Sequence, residues 1–464
     1  MRFEKDSIGT LCIDDDAYYG IQSLRGSDNF NVIEQRIHPD FVKNIAKIKK
    51  AAAKVNCQIG DLAKDKCEAI MQAAQEVVDG KLTDAFIVDA IQGGAGTSSN
   101  MNANEVIANR AIEILGGIKG DYSVVNPNDD VNMAQSTNDV VPSAAKMTVI
   151  DLVQPLLENL KKLEQAFLQK AVEFDDVIKM GRTQMQDAVP IRLGQEFGAY
   201  AEVVKRDIER ISLATQKMYV LNMGGSAIGT SINVSQLYLE KIAQEISAVC
   251  GYDVCLANNL IDATQNMDCF AHVSSALKTC AVNMAKIAKD IILMSSGPKT
   301  GFCEINLPSM QNGSSIMPGK INPVIPEVVI QISFLIMGHD VTINFAASSG
   351  QLELNAFGPI IYYQLFESIS TLSCAVESFA KDCINGISAN VSKCKEDVEK
   401  STGVVVTVLV PIIGYQKSAQ IAKESLSTGV SIKDIIVREK ILSQQELDEV
   451  LDPFNMTSAN NSKK

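Results

Sequence analysis

Phe270-Ala-His-Val-Ser-Ser-Ala-Leu-Lys-Thr-Cys-Ala-Val-Asn-Met-Ala-Lys-Ile-Ala-Lys-Asp-Ile-Ile-Leu-Met294 carries apolar side chains at Val273, Leu277, Cys280, Met284, Ile287, Ile291 and Met294. Their spacing alternates between four and three residues, the period of a coiled-coil-like helical seam. Outward from it the pattern recurs. Residues 152–171 align Leu152, Leu156, Leu160, Leu163 and Phe167, and residues 360–383 align Tyr362, Phe366, Ile369, Leu372, Val376 and Phe379. Residues 328–337 (Val-Val-Ile-Gln-Ile-Ser-Phe-Leu-Ile-Met) are apolar nearly all round, which predicts a helix buried on every side. Helices this long, with seams on more than one face, form a bundle, and one chain does not cover them all. Oligomerisation is expected, with helices of several subunits sharing a core.

The remaining segments are shorter. Residues 39–56 and 61–79 have helical periodicity, Asp14–Gly20 reads as a turn packing two tyrosines, and β-alternation occurs only in short pieces. The predicted organisation is a mainly helical N-terminal domain (1–138), a central long-helix bundle (139–395) and a small C-terminal helical domain (396–464). The tail of that last domain, Thr457–Lys464, is expected to be disordered.

Composition narrows the function. The 464 residues are 46% hydrophobic and 21% charged, with a net charge of −13 and a sequence pI near 4.9. An acidic chain without clustered Lys and Arg is a poor ligand for duplex nucleic acid or an anionic membrane. The eleven cysteines are scattered, without a CxxC pair, which suits a reducing cytoplasm better than a disulfide framework or a zinc site. Met1–Lys5 lacks the apolar run of a signal peptide, and the apolar segment Ile321–Met337 is interrupted by Glu327 and Gln331.

Four polar stretches stand at helix boundaries: Gly96-Thr-Ser-Ser-Asn-Met-Asn102, Gln135-Ser-Thr-Asn-Asp139, Gly181-Arg-Thr-Gln184 and the loop Gly313–Glu327. The loop offers Ser314, Ser315, Lys320 and Asn322, with Gly313 and Gly319 supplying backbone freedom and Pro318, Pro323 and Pro326 limiting it. A serine triad does not fit, because His38, His272 and His339 all lie away from any Gly-x-Ser-x-Gly elbow. A phosphate loop does not fit either: Ile321 stands where a magnesium-binding Ser or Thr belongs. Each stretch can be read as ordinary N-capping, with Asn138 or Asp139 capping the next helix. Together, four helix starts rich in hydroxyls and amides, with one lysine, also suit a small dicarboxylate.

These residues resemble the aspartase/fumarase superfamily. Gly313-Ser-Ser-Ile-Met-Pro-Gly-Lys-Ile-Asn-Pro323 is similar to its signature, and residues 96–106, 135–139 and 181–190 to its other conserved regions, in the same order. The resemblance covers residues 2–453 and is strongest to the aspartase branch, through Asp16–Gly20, Gln92–Thr97 and Gly350–Asn355. It implies an all-α homotetramer with a long central bundle and active sites assembled from three subunits. It also implies reversible conversion of L-aspartate to fumarate and ammonia, with no organic cofactor and no metal ligand. Carried over by position, Ser314 would take a proton from C3 of the substrate. Thr97, Ser136, Thr137 and Ser315 would hold the resulting aci-carboxylate, and Thr183, Lys320 and Asn322 the other carboxylate. The amino group would face Asn138 and Gln184.

Departures from the pattern are informative. Many members, fumarases above all, carry His where this chain has Gln184, paired with a carboxylate at the position of Glu327. Expelling a hydroxide-like group needs an acid that an amide cannot supply, whereas ammonia leaves from an ammonium already protonated. Gln184 therefore favours aspartase over fumarase chemistry. Asp130 replaces another fumarase histidine, so a secondary dicarboxylate site of that type is not expected. Phe357-Gly358 and Val410 also differ. The alternatives are a fumarase or another dicarboxylate lyase, and a structural role like that of the superfamily's lens crystallins, which would not require Ser314, Lys320 and Asn322 to be kept.

Overall fold

The computed structural model describes residues 1–458, of which 402–405 and 453 by their backbone alone. A hairpin of β1 (Arg2–Lys5) and β2 (Thr10–Ile13) precedes α1 (Ile21–Asn29), α2 (Pro39–Gln58), α3 (Lys64–Val78), α4 (Thr97–Ile114) and α5 (Thr137–Glu173). A second hairpin, β3 (Ile178–Thr183) and β4 (Gln186–Arg192), leads into α6 (Leu193–Thr215). The short parallel strands β5 (Val220–Leu221) and β6 (Cys255–Leu256) flank α7 (Gln236–Cys250). Then come α8 (Leu260–Gln265), α9 (Asp268–Met294), β7 (Ile305–Asn306), α10 (Val324–Ser348) and α11 (Gly358–Ser378). After β8 (Ser388–Ala389), which pairs with β7, the short helices are α12 (Val391–Lys400), α13 (Thr402–Ile413), α14 (Tyr415–Thr428), α15 (Ile432–Arg438), α16 (Gln444–Val450) and α17 (Pro453–Met456). The fold is all-α, as the seams predicted, with strands confined to two-stranded pieces.

The chain divides into two compact units: Met1–Leu157, Glu209–Ala281 and Ser333–Ser373 in the first, Glu158–Ile208, Val282–Ile332 and Cys374–Lys464 in the second. In the first, α2 and α3 pair through Ala51, Ala52, Ala53, Ala69, Ala73 and Ala74, each at most 2% exposed. Such small side chains let two helices approach closely at native packing density. Phe41, Phe270, Tyr362 and Phe366 form an aromatic cluster, with Phe270 and Tyr362 centroids 5.2 Å apart. Tyr362 leans over the start of α11, and a Cβ on Gly358 would meet its Oη at 2.8 Å, which accounts for glycine at that position.

In the second unit Phe167, Phe174, Phe197 and Tyr200 pack edge to face, and Leu409, Ile421, Ile432, Ile435, Ile436, Leu447 and Leu451 form a C-terminal core. Val410 is half-buried beside Leu409. The carbonyl of Thr457 accepts from Gln195 Nε2 at 2.9 Å; residues 459–464 of the expected disordered tail lie outside the described residues.

The predicted seams are buried. On α9, Val273, Leu277, Cys280, Met284, Ile287 and Ile291 are at most 1% exposed, and the set from Tyr362 on α11 to Phe379 just beyond it is at most 3% exposed. On α5, Leu156, Leu160, Leu163 and Phe167 are buried, whereas Leu152 is half-buried. The 328–337 segment corrects its expectation. It lies within α10, but Phe334 is 54% exposed, Leu335 40%, and Val341 and Phe345 further along 55% and 71%. An all-round apolar pattern reports what a helix must cover, and the chain supplies cover for one side only. Helices α5 and α10 are each long and apolar enough to cross a membrane, α5 being mostly buried within the chain. All eleven cysteines are free thiols.

Candidate active site

The expected site residues fall into three groups, each set by its own local geometry. The first is at the starts of α4 and α5. Gly96 precedes α4 with φ of 95°, a left-handed value that favours glycine, and a Cβ there would also meet Val141 Cγ1 at 2.8 Å. Thr97 opens the helix and its hydroxyl donates to the Gly94 carbonyl at 2.7 Å. Ser136 caps α5: its Oγ accepts from Asn138 N at 3.2 Å, and Asp139 Oδ1 accepts from Ser136 N at 2.8 Å. Ser136 is thus the N-cap of α5, with Asp139 reaching back from the third helical position, which corrects the expectation that Asn138 or Asp139 would be the cap. Asn138 Nδ2 donates to the Ala227 carbonyl at 2.7 Å, and Thr137 Oγ1 accepts from Asn100 Nδ2 at 3.3 Å.

Asp139 is fully buried and receives two more backbone donors, Gly224 N and Ser226 N, each at 3.1 Å. Burial outweighs those donors and holds its carboxyl up at about 6. The donors come from a loop in which Gly224, Ser226, Gly229, Ser231 and Asn233 all have positive φ. Sequence reasoning passed over that loop; the signal was its Asn222-Met-Gly-Gly-Ser-Ala-Ile-Gly229 run. Two further groups were missed. Lys49, in the middle of the apolar face of α2, is fully buried and donates to Asn132 Oδ1 at 2.7 Å. Asn100 and Asn104 converge on that same oxygen at 3.1 and 3.2 Å. The signal for them was Asn100, Asn102 and Asn104 opening a helix otherwise rich in small apolar residues.

The second group, expected at a helix start, is instead the tip of the β3–β4 hairpin, because Thr183 and Gln186 pair across a two-residue turn. Thr183 pairs with Gln186, so Gln184 and Met185 form the whole turn, with φ of 53° and 65°. Two consecutive left-handed residues are the pattern of a type I′ turn, which normally takes Asn-Gly. Here neither residue is one that tolerates the conformation well, and Thr183, Gln184 and Met185 are all exposed. The hairpin is fixed at its base. Arg182 Nη1 meets buried Glu304 at 2.6 Å and its guanidinium lies 4.1 Å over the Phe302 ring, while Lys179 reaches the same Glu304 at 2.9 Å. Gly181 permits the bulge between them, since a Cβ would meet the Val189 carbonyl at 2.5 Å.

The third group is the loop between β7 and α10. Its two ends are clasped: Gly313 N donates to the Lys320 carbonyl at 2.8 Å, and Asn322 Nδ2 to the Gly313 carbonyl at 2.7 Å. A Cβ on Gly313 would lie 2.4 Å from that Lys320 oxygen, so glycine is required there by close approach. Gly319 has φ of 81° in open space. Within the loop Ser314 Oγ accepts backbone N–H groups from Ile316 at 3.3 Å and Met317 at 3.2 Å. Ser315 and Lys320 are exposed, and Ser314 and Asn322 half-buried. Among the described residues no hydrogen bond joins this loop to Thr183 or Gln184.

Thus Thr97, Ser136, Thr137 and Asn138 stand on neighbouring helix starts of the first unit, Thr183 and Gln184 on one turn, and Ser314, Ser315, Lys320 and Asn322 on one clasped loop. Asp130, the replaced histidine, accepts from Asn126 N at 2.7 Å and pairs with Lys66 at 2.8 Å, closing the turn Pro127–Val131. An aromatic cavity of about 150 Å³ lies behind Gly96, between His38, Phe41, Val141, Tyr362 and Phe366. Gln35, Arg36, Ser99, Tyr363 and Glu367 also line it.

Residues 9–338 match the family model described as lyase, and residues 405–458 the one described as fumarase C C-terminus. The aspartate ammonia-lyase of a Bacillus species is 49% identical over 457 residues, covering 98% of this chain and 97% of its own length. That of Helicobacter pylori strain J99 is 50% identical over 466 residues, covering 100% and 99%. The chain belongs to the aspartase/fumarase superfamily. Within it, the chain stands with the aspartate ammonia-lyases and is a carbon–nitrogen lyase. Solved members share the fold. A fumarate lyase:delta crystallin from Brucella melitensis, in a crystal structure bound to cobalt, superposes with a TM-score of 0.95 at 45% identity, covering 99% of this chain and 100% of that one. A class II fumarase from Schistosoma mansoni superposes with a TM-score of 0.94 at 33% identity, covering 98% of each.

Proposed function

We propose that the chain deaminates L-aspartate reversibly to fumarate and ammonia, as an aspartate ammonia-lyase, with Ser314 as the proton abstractor. The Ser314 alkoxide takes a proton from C3, and the electron pair moves into the adjacent carboxylate, which becomes the doubly charged aci form. As that form collapses, C2–C3 becomes a double bond, the C2–N bond breaks and ammonia leaves with its electron pair. Thr97, Ser136, Thr137 and Ser315 donate to the aci-carboxylate; Thr183, Lys320 and Asn322 hold the other carboxylate. Asn138 and Gln184 face the amino group.

The observation that carries this reading is the environment of Ser314 Oγ. It accepts two backbone N–H groups from its own loop, and those donors stabilise an alkoxide more than a neutral hydroxyl. Gln184 supports ammonia over hydroxide as the leaving group, because no acid stands at that position. The uncovered apolar side of α10, with Phe334, Val341 and Phe345, supports a homotetramer in which three subunits complete each site. Free thiols throughout suit a reducing cytoplasm.

The test is ultraviolet detection of fumarate when pure protein meets L-aspartate, with L-malate in parallel. Fumarate from aspartate alone is the expected result. Faster turnover of malate would establish a fumarase instead, and inertness toward both would leave a crystallin-like structural role.

A further inference from the structure

Lys49 is the most enclosed lysine of the first unit, with no exposed surface and, among the described residues, no carboxylate at ion-pair distance. Its ammonium donates to Asn132 Oδ1 at 2.7 Å, an oxygen that also receives Asn100 and Asn104. Asn132 then donates through Nδ2 to the Gln135 carbonyl at 3.2 Å, one residue before Ser136, and Asn100 reaches Thr137 Oγ1 at 3.3 Å. The groups that share its acceptor oxygen are neutral amides, and the Oδ1 atoms of Asn56, Asn100 and Asn104 are buried without partners. A cation in such a place costs free energy that the chain's own contacts do not return. The titratable group that acts on it is Asp139, which is already engaged by three backbone donors.

We infer that Lys49 is a positioning residue whose buried ammonium, through Asn132 and Asn100, favours the growth of negative charge at Ser136 and Thr137 during the proposed lyase reaction. The inference rests on that functional reading and deepens it. While protonated, the buried ammonium acts over several ångströms in a low-dielectric interior. A carboxylate that goes from one negative charge to two gains more from it than the ground state does, and only such a difference accelerates chemistry. The same ammonium, meeting two amide groups on the Asn132 oxygen, fixes the turn from which Ser136 and Thr137 project.

Two probes separate this role from a merely structural one. Succinate is a plain dicarboxylate; ionised 3-nitropropionate carries a nitronate whose two oxygens imitate the aci-carboxylate. In full-length Lys49→Met, kcat and nitronate affinity should each fall roughly 10- to 100-fold, as for other outer partners of a site, while succinate affinity and KM hold. Equal weakening of both probes, or of neither, overturns the inference. Asn132→Asp keeps the acceptor oxygen and gives Lys49 a counterion that cancels its field, while giving up the Nδ2 bond to the Gln135 carbonyl, so succinate affinity serves as its structural control. The same selective loss is expected there, and unchanged nitronate binding overturns the inference. Wild-type protein that neither releases fumarate from aspartate nor binds either probe refutes the functional reading itself, a failure visible before any variant is made.

Discussion

The starts of α4 and α5 and the 313–322 loop carry the two halves of the expected chemistry, and they are held in opposite ways. At the helix starts, Ser136, Thr137 and Asn138 are half-buried, each with a hydrogen bond already made, over a floor of Lys49, Asn132 and Asp139. In the loop, the backbone itself does the holding: a clasp at Gly313, and two N–H groups turned onto Ser314 Oγ, with Ser315 and Lys320 open to solvent. Packing fixes a receptor whose shape must not change as charge builds up. Backbone closure fixes a reactive group within its own loop, independently of what that loop packs against.

Breaking each half in turn should give different signatures. The largest effect is expected of Ser314→Ala, which should reduce fumarate release by roughly a thousandfold or more while succinate still binds, because the proton has no other acceptor in the loop. Thr137→Ala should lower kcat by roughly 10²–10³ with little change in KM, as loss of one donor to the aci-carboxylate does. A KM effect without a kcat effect would move Thr137 to the ground-state side of the comparison.

The third prediction concerns stability. Burial holds Lys49 down at about 7, well below the ordinary lysine value, so between there and about 10 the unfolded chain binds more protons than the folded one. The stability of the parent relative to Lys49→Met should therefore rise with pH across that window, by at most about 1.4 kcal/mol per unit, in paired urea titrations. A flat difference would mean the ammonium is well compensated when folded. The smallest effect sharpens the contrast in the hairpin. Replacing Gln184-Met185 with Asn-Gly should stabilise the turn by about 1 kcal/mol while reducing turnover.

The helical architecture was legible because burial repeats with the helix period: Val273 to Ile291 could be assigned from spacing alone. The same logic failed for α10, since a sequence shows that Phe345 is apolar but not whose surface will meet it. Ser136 was legible as a site residue and Asn138 or Asp139 as the cap, and the geometry gives the cap to Ser136, with Asp139 reaching back to its N–H. Lys49 was not legible. A lysine among alanines reads as a snorkelling surface residue, and its partner Asn132 is 83 positions away. Nor did Gln184 and Met185 announce a left-handed turn, because neither is the glycine or asparagine that normally marks one.

The ridge formed by Phe334, Val341 and Phe345 on α10 sets a deadline for a newly made chain. In the homotetramer proposed above, that surface stays as open to strangers as to its own kind until copies meet, so productive association would compete with aggregation from the moment synthesis ends. Dilute, slow expression would lengthen the vulnerable interval, and crowding several chains on one message would shorten it. Yield of this protein is then a matter of encounter rate as much as of folding stability.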